Sequence, residues 1–248
     1  MVKILLLQQW YNLSDPQIER EIRDRISFMN FLRYPDKLPD RNTIWYFRER
    51  LSKTGKDRLV FNEITEQIMA KRIRIKKGTM QDASFIEADR GENGKPRGKD
   101  AKTRRSRDGK SATKNHEQHF WYKKHTLTNE IKIVEKLSVT PANVHDSMID
   151  LSIPGIVCYR DKGYFGHDPK GIDGTMDRSV RNHKLSIQSV RRNRRISRKR
   201  SLVEYPYAVM KRVFHFSHVM VTLVRRVRVK FMFACFGYNV HALKIVQR

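Results

Sequence analysis

Hydrophobic spacing changes character once along this chain, near residue 78, and that change limits the fold more than any single residue does. Before it, Ile18, Ile22, Ile26, Met29 and Leu32 recur at the intervals of one helical face. Ile44, Phe47 and Leu51 repeat the pattern, as do Val60, Ile64 and Ile68. After it, "GTMQDASFIEA" (78–88) reads as a strand, and "HFWYKKHTL" with "IKIVEKLSVTP" reads as a hairpin joined through Thr128-Asn129. "ANVHDSMIDL" (142–151) is expected to be a helix and Ile156-Val157-Cys158-Tyr159 a short buried strand. From Leu202 to about Val229 the chain is again helical or apolar. Strand, hairpin, helix, strand and helices make an α/β pattern. It is preceded by an all-α unit over 1–75, which leaves 76–248 as the second domain.

Local signals refine the helical part. Ser14 to Gln17 has capping-box spacing, with Pro16 in the first turn where it is tolerated. "YPDKLPDRN" (34–42) is a break, after which Asn42 or Thr43 can cap a second helix; a third follows Thr54-Gly55. Three short helices with Arg- and Lys-rich polar faces suit a small DNA-binding or dimerising unit, or a cap that packs on the next domain. "MVKILLLQQW" reads as the amphipathic end of a helix, as in a domain truncated at its start. Its apolar run is far shorter than the ~20 residues a membrane span requires.

Charge narrows the partner. Lys and Arg number 52 against 26 Asp and Glu, a formal +26, which favours a polyanion. The cations are interleaved with aromatics along the whole chain rather than held on one amphipathic helix, which disfavours a membrane surface and favours DNA. Residues 90–115 hold ten basic and three acidic side chains and no large apolar one, and are expected to be a basic loop. Residues 191–200, "RRNRRISRKR", carry seven cations. Arg191, Arg192, Arg194, Arg195 and Arg198 are too dense for all to read bases, so most are expected to meet phosphates. Cys158 and Cys235 sit in apolar surroundings and read as buried thiols. His116, His119 and His125 lack zinc-ligand spacing with cysteines, and no Gly-rich phosphate loop is present. His145-Asp146 reads as a turn or cap, and Glu87 and Asp89 as solvated acids.

Three acids stand apart. Asp82 lies on the first strand, and Asp161 ends a strand just before Gly163, with Arg160 and Lys162 beside it to receive a DNA backbone. Pro206 is tolerated in a helix's first turn, which sets Glu204 at a helix entry. Lys211 follows Glu204 by about two turns, on nearly the same face. Such carboxylates suit magnesium, which takes oxygen ligands and keeps waters and substrate phosphates in its shell.

Several strings then become specific: "LLLQQWYNLSDPQIEREIRDRISFMNFL", "PDRNTIWYFRERL", "TMQDASFIEA", "TPANVHDS", "YRDKGYFG", "RNRRISRKRSLVEYPYAVMKRVF" and "FACFGYNVHALK". In this order, over about residues 5–244, they resemble the DDE transposases of prokaryotic insertion sequences, in particular the group numbered five. The resemblance implies an RNase-H-like mixed sheet flanked by helices, behind an N-terminal all-α domain. It implies that Asp82, Asp161 and Glu204 bind two Mg2+ ions, with Mn2+ as a substitute. DNA is cut at the terminal inverted repeats and joined to a target duplex by a homo-oligomer formed on DNA. Cytoplasmic, nucleoid-associated action follows, with no membrane partner. The family signature of Tyr, Arg, Glu and Lys is met by Arg200, Glu204 and Lys211, while Ser197 stands at the tyrosine position and Trp121 where glycine is common. The alternative is an inactive, DNA-binding relic of such an element.

Overall fold

The structure is a computed structural model and describes residues 1–70, 78–88, 108–114 and 117–246. Among the described residues five helices, rather than three, precede the sheet: α1 (Val2–Trp10), α2 (Asp15–Asp24), α3 (Ile26–Leu32), α4 (Arg41–Thr54) and α5 (Lys56–Ala70). The Ser14–Gln17 capping box forms as expected, satisfying donors at the start of α2. The next helical stripe does not run through to Leu32. Arg25 adopts an extended conformation (φ −95, ψ 112) that splits the run into two helices. Ile18 and Ile22 are therefore fully buried while Ile26 is 78% exposed. Helix α4 is capped by Asp40, whose Oδ1 accepts the Thr43 N–H at 2.7 Å, not by Asn42 or Thr43. Nor is α1 amphipathic: Ile4, Leu5, Leu6 and Leu7 are all buried, because other helices close over it on several sides.

Seven strands form one mixed sheet among the described residues: β1 (Thr79–Ala88), β2 (Lys110–Lys114), β3 (Glu117–Asn129), β4 (Val134–Pro141), β5 (Val157–Arg160), β6 (Ile172–Thr175) and β7 (His218–Val219). Strand β1 is central. It runs antiparallel to β3, with Asp82 opposite Thr126, and parallel to β5, which is parallel to β6. Strands β4 and β2 share the other edge of β3, giving the order β4-β3-β1-β5-β6 of an RNase-H-like sheet. The expected basic loop is shortened at its end, because 110–114 pairs as β2; residues 89–107 and 115–116 lie outside the described residues. The hairpin turn falls at 130–133, where Lys132 takes a left-handed φ of 66 and the Asn129 side chain accepts the Ile133 N–H.

Residues 142–151 are not a helix. Only Asp146–Met148 forms a 3-10 turn, after which the chain runs extended. The buried Gln81 amide explains this, donating to the Ile149 carbonyl at 2.5 Å and accepting the Leu151 N–H at 2.9 Å. Those bonds replace the helical ones the segment would otherwise make.

Two long helices complete the fold: α6 (Ile187–Arg212) and α7 (Val224–Val246). Helix α7 buries Val227, Phe231, Met232, Phe233, Ala234, Cys235 and Tyr238, because β4 covers one side and α1, α4 and α5 the other. Buried ion pairs join the helical unit to it. Arg225 and Arg226 reach Glu49 at 2.8 and 2.6 Å, and Arg228 grips Asp57 through both nitrogens at 2.6 and 2.9 Å. Arg228 and Asp57 are the more deeply buried of these, and removing one partner of such a pair costs about 3–5 kcal/mol. The hydrophobic core thus continues from α1–α5 into α7. Both cysteines are buried free thiols, and no described helix is long and apolar enough to cross a membrane.

Candidate active site

The register of β1 and β5 sets two aspartates side by side. Their last paired residues are Met80 and Tyr159. Asp82 and Asp161 each lie two residues further along parallel chains, so they share a level and a pleat face. Beyond Met80 that edge of β1 has no strand until β7 pairs with Glu87 and Ala88. The sheet is split where Asp82 sits. Asp161 follows the end of β5 and caps a 3-10 turn, its Oδ1 accepting the Gly163 N–H at 2.9 Å. A side chain on Gly163 would begin 3.0 Å from that oxygen, closer than ordinary contact, so glycine leaves the carboxylate its seat.

Helix α6 packs over this split, against β1 and β5. Pro206 lies inside it, not in its first turn, so Glu204 is on a mid-helix turn rather than at a helix entry. Burial of Pro206 and Met210 and tethers to the sheet maintain the helix through a residue that cannot donate. Two side chains of α6 reach Asp82. Arg200 Nη2 meets its Oδ1 at 2.9 Å, and the Tyr207 hydroxyl donates to its main-chain carbonyl at 2.9 Å. Glu204 lies between these two along the helix, exposed and without a hydrogen bond or ion pair among the described residues.

Burial pushes the Asp82 carboxyl up to about 6, with Arg200 pulling it down and Asp161 pushing it further up. Two carboxylates at one level, with one arginine between solvent and core, form an oxygen-rich pair short of positive charge. That donor chemistry fits a hard divalent cation. Among the described residues, however, no three His, Cys, Asp or Glu side chains gather closely enough to hold a metal. The structure sets Asp82 and Asp161 at one level, and Glu204 has no bond to either among the described residues.

The expected phosphate contacts divide. Arg191, Arg194, Arg195, Arg198 and Lys211 are exposed on α6. Arg192 is engaged internally, bonding the Thr175 carbonyl at 2.6 Å and Asp177 at 3.1 Å. Arg160 is 1% exposed, stacked on Tyr164 and bonded to Thr175, His167 and Asp173, so it does not face a DNA backbone. Phe120, Trp121 and Tyr122 are buried in the sheet. Sequence reasoning did not single out Tyr207, Thr126, Lys124 or Gln81. The strand alternation that puts Thr126 and Lys124 opposite Asp82 and Ser84 offers a signal for the middle two. Lys124 is buried beneath the rings of Tyr207 and Phe216, at 5.2 and 5.4 Å, and burial, with Lys211 nearby, lowers its ammonium to about 8.

No solved structure matches the chain. Two family models do. The description "Transposase domain (DUF772)" covers residues 1–50, within the helical unit, and "Transposase DDE domain" covers residues 76–240, the sheet with α6 and most of α7. The second spans more than half of the chain and contains both aspartates, the split sheet and the helix laid across it. The chain therefore belongs to the DDE transposases of the insertion-sequence type, enzymes that bind and cut DNA.

Proposed function

We propose that this transposase cuts and joins DNA at insertion-sequence ends by metal-dependent phosphoryl transfer, using Asp82, Asp161 and Glu204. The observation that carries this reading is the level pairing of Asp82 with Asp161 under a helix whose Glu204 is unengaged. Asp82 and Asp161 would hold Mg2+, or Mn2+ in its place, and Glu204 would complete the set. A bound divalent ion there supplies Lewis acidity for water or a 3′-hydroxyl and neutralises charge developing on phosphate, two ions serving the attacking and leaving oxygens.

The chain's own residues do the rest. In the free protein Arg200 neutralises Asp82. Backbone phosphates compete for that guanidinium, whose planar fork can pair with two phosphate oxygens at once. Its departure uncovers Asp82, and Glu204, about one turn along the same helix, is the carboxylate available to take its place. Lys211, a further two turns on, grips a phosphate next to the scissile one, and the exposed arginines of α6 hold the backbone. Residues 1–75 form the helical domain that assists DNA binding or pairing of copies, with 76–248 as the catalytic domain. Assembly on the terminal repeats as a homo-oligomer, in the cytoplasm at the nucleoid, completes the proposal.

A DNA-binding relic is the second reading, favoured by the absence, among the described residues, of a three-residue acidic cluster able to hold a metal. Cleavage and strand-transfer assays on duplexes carrying the element's terminal inverted repeats separate the two. Wild-type protein should cut in Mg2+ and yield joined product. Asp82→Asn, Asp161→Asn and Glu204→Gln should abolish cutting while DNA binding is kept or tightened, since each removes a charge that repels phosphate. Near-normal cutting by Asp161→Asn would exclude the assignment, and a wild type that binds but never cuts would establish the relic.

A further inference from the structure

We propose that Tyr207 is a positioning residue for the acid site: it hooks α6 onto the main chain of Asp82 and sets the height at which Glu204 meets the aspartates. The inference rests on the metal-site reading above and assigns a role to a residue outside the signature.

The phenol oxygen is held on both sides. It accepts the Thr126 hydroxyl at 2.9 Å and donates to the Asp82 carbonyl at 2.9 Å. Thr126 is the residue directly opposite Asp82 across the β1–β3 ladder, so both bonds fall on one rung of the sheet. The ring lies over the buried Lys124 ammonium, which fixes its orientation as well as its tip. Burial raises the phenol's pKa well above its ordinary value, so it remains a neutral donor.

Helix α6 needs this tether where it occurs. Pro206 has no N–H, so the Leu202 carbonyl lacks its intrahelical partner, and the unsupported turn is the one that carries Glu204. Tyr207, the next residue, ties that turn to the sheet instead. Arg200, about one turn before Glu204, reaches the same aspartate. The two tethers differ in kind. Arg200 is ionic and open to exchange with phosphate, whereas the Tyr207 bond is neutral and made to the main chain inside the α6–β1 contact. When Arg200 leaves, Tyr207 stays, and α6 can turn Glu204 inward without losing its register on β1.

The test is Tyr207→Phe in the full-length chain, which keeps the ring over Lys124 and removes only the hydroxyl. Mn2+ binding is followed by electron paramagnetic resonance on protein bound to a terminal-repeat duplex, alongside DNA affinity, the thermal midpoint and cleavage across metal concentrations. The expected result is about tenfold weaker Mn2+ binding, the scale of lost support around a metal ligand. Cleavage should be partly restored by excess metal, with DNA affinity unchanged. Thr126→Val, which removes the donor to the phenol oxygen, should shift metal binding the same way by a smaller factor and serves if Tyr207→Phe does not fold. Wild-type Mn2+ affinity in both variants, or a loss of activity that tracks the thermal midpoint alone, overturns the role of Tyr207 while leaving the acid site standing. Absence of Mn2+ binding by the wild type on DNA overturns both.

Discussion

Arg200 and Asp82, 118 residues apart in the chain, meet at 2.9 Å across the gap between α6 and β1, each with less than a fifth of its side chain exposed. Arg200 Nε, facing inward, has no hydrogen-bond partner among the described residues. The guanidinium therefore serves Asp82 with one arm and leaves another unsatisfied, a poorer arrangement than the forked contact it can make with a phosphate. In the proposed mechanism this pair is a latch that holds the carboxylate neutralised until a phosphate displaces it.

Arg200→Gln accordingly should have opposite effects on two ligands. Without DNA, Mn2+ should bind about tenfold more tightly, because the competing charge at Asp82 is gone. Binding to duplex DNA should weaken, and cleavage should fall. Calorimetric titration of the free protein with Mn2+ checks the first effect, and unchanged or weaker metal binding would refute the latch.

The raised pKa of Asp82 has a thermodynamic signature. The folded protein holds its proton up to about 6, whereas the unfolded chain releases it near 3.8. This contribution is fully present below the lower value and is lost as pH rises through the upper one. Asp82→Asn should therefore gain stability relative to wild type by about 2 kcal/mol between pH 4 and 7. Buried His125, lowered to about 4, has the opposite trend, losing stability as pH falls below its ordinary 6.5, but it is common to both proteins and cancels in the difference. Urea unfolding of the two proteins across this range measures the slope. A flat difference would show that Asp82 titrates normally.

Lys211 is exposed on α6, two turns beyond Glu204. Lys211→Ala should slow cutting and joining at fixed metal without altering the metal concentration required, and Lys211→Arg should recover part of the rate. If alanine leaves both reactions untouched, the lysine is a surface residue.

Arg195 and Arg198 are exposed on α6 and make no ion pair among the described residues. Replacing both with glutamine should weaken binding to all duplexes alike and reduce the salt slope by about one unit per contact. Arg192→Gln should instead lower the thermal midpoint, since that guanidinium ties α6 to Asp177 and the Thr175 carbonyl. Binding isotherms at several salt concentrations distinguish these outcomes, and a sequence-selective loss would make the stretch a reader of bases.

Local rules carried much of the fold. The capping box at Ser14, the strand around Asp82, the hairpin and the strand ending at Asp161 all follow from patterns a few residues long, where backbone geometry and neighbouring side chains suffice. The errors mark where distant groups prevailed. Residues 142–151 were expected to be helical and became extended because Gln81, some 70 residues earlier, takes their backbone bonds. Pro206 was expected to mark a helix start, but packing of α6 on the sheet carries the helix through it.

The candidate site divides the same way. Its acids and their strand and helix were readable from residue type, spacing and family likeness, because each is a property of a short string. Which groups meet was not. Arg200 on Asp82, Tyr207 on the Asp82 carbonyl at a separation of 125 residues, and Glu204 exposed between them depend on how α6 lies across a split in the sheet, and Arg160 is turned into the core by partners on the segments after β5. Helical period states which residues share a face, but only the docking of that face on β1 decides which atom of it reaches a given carboxylate.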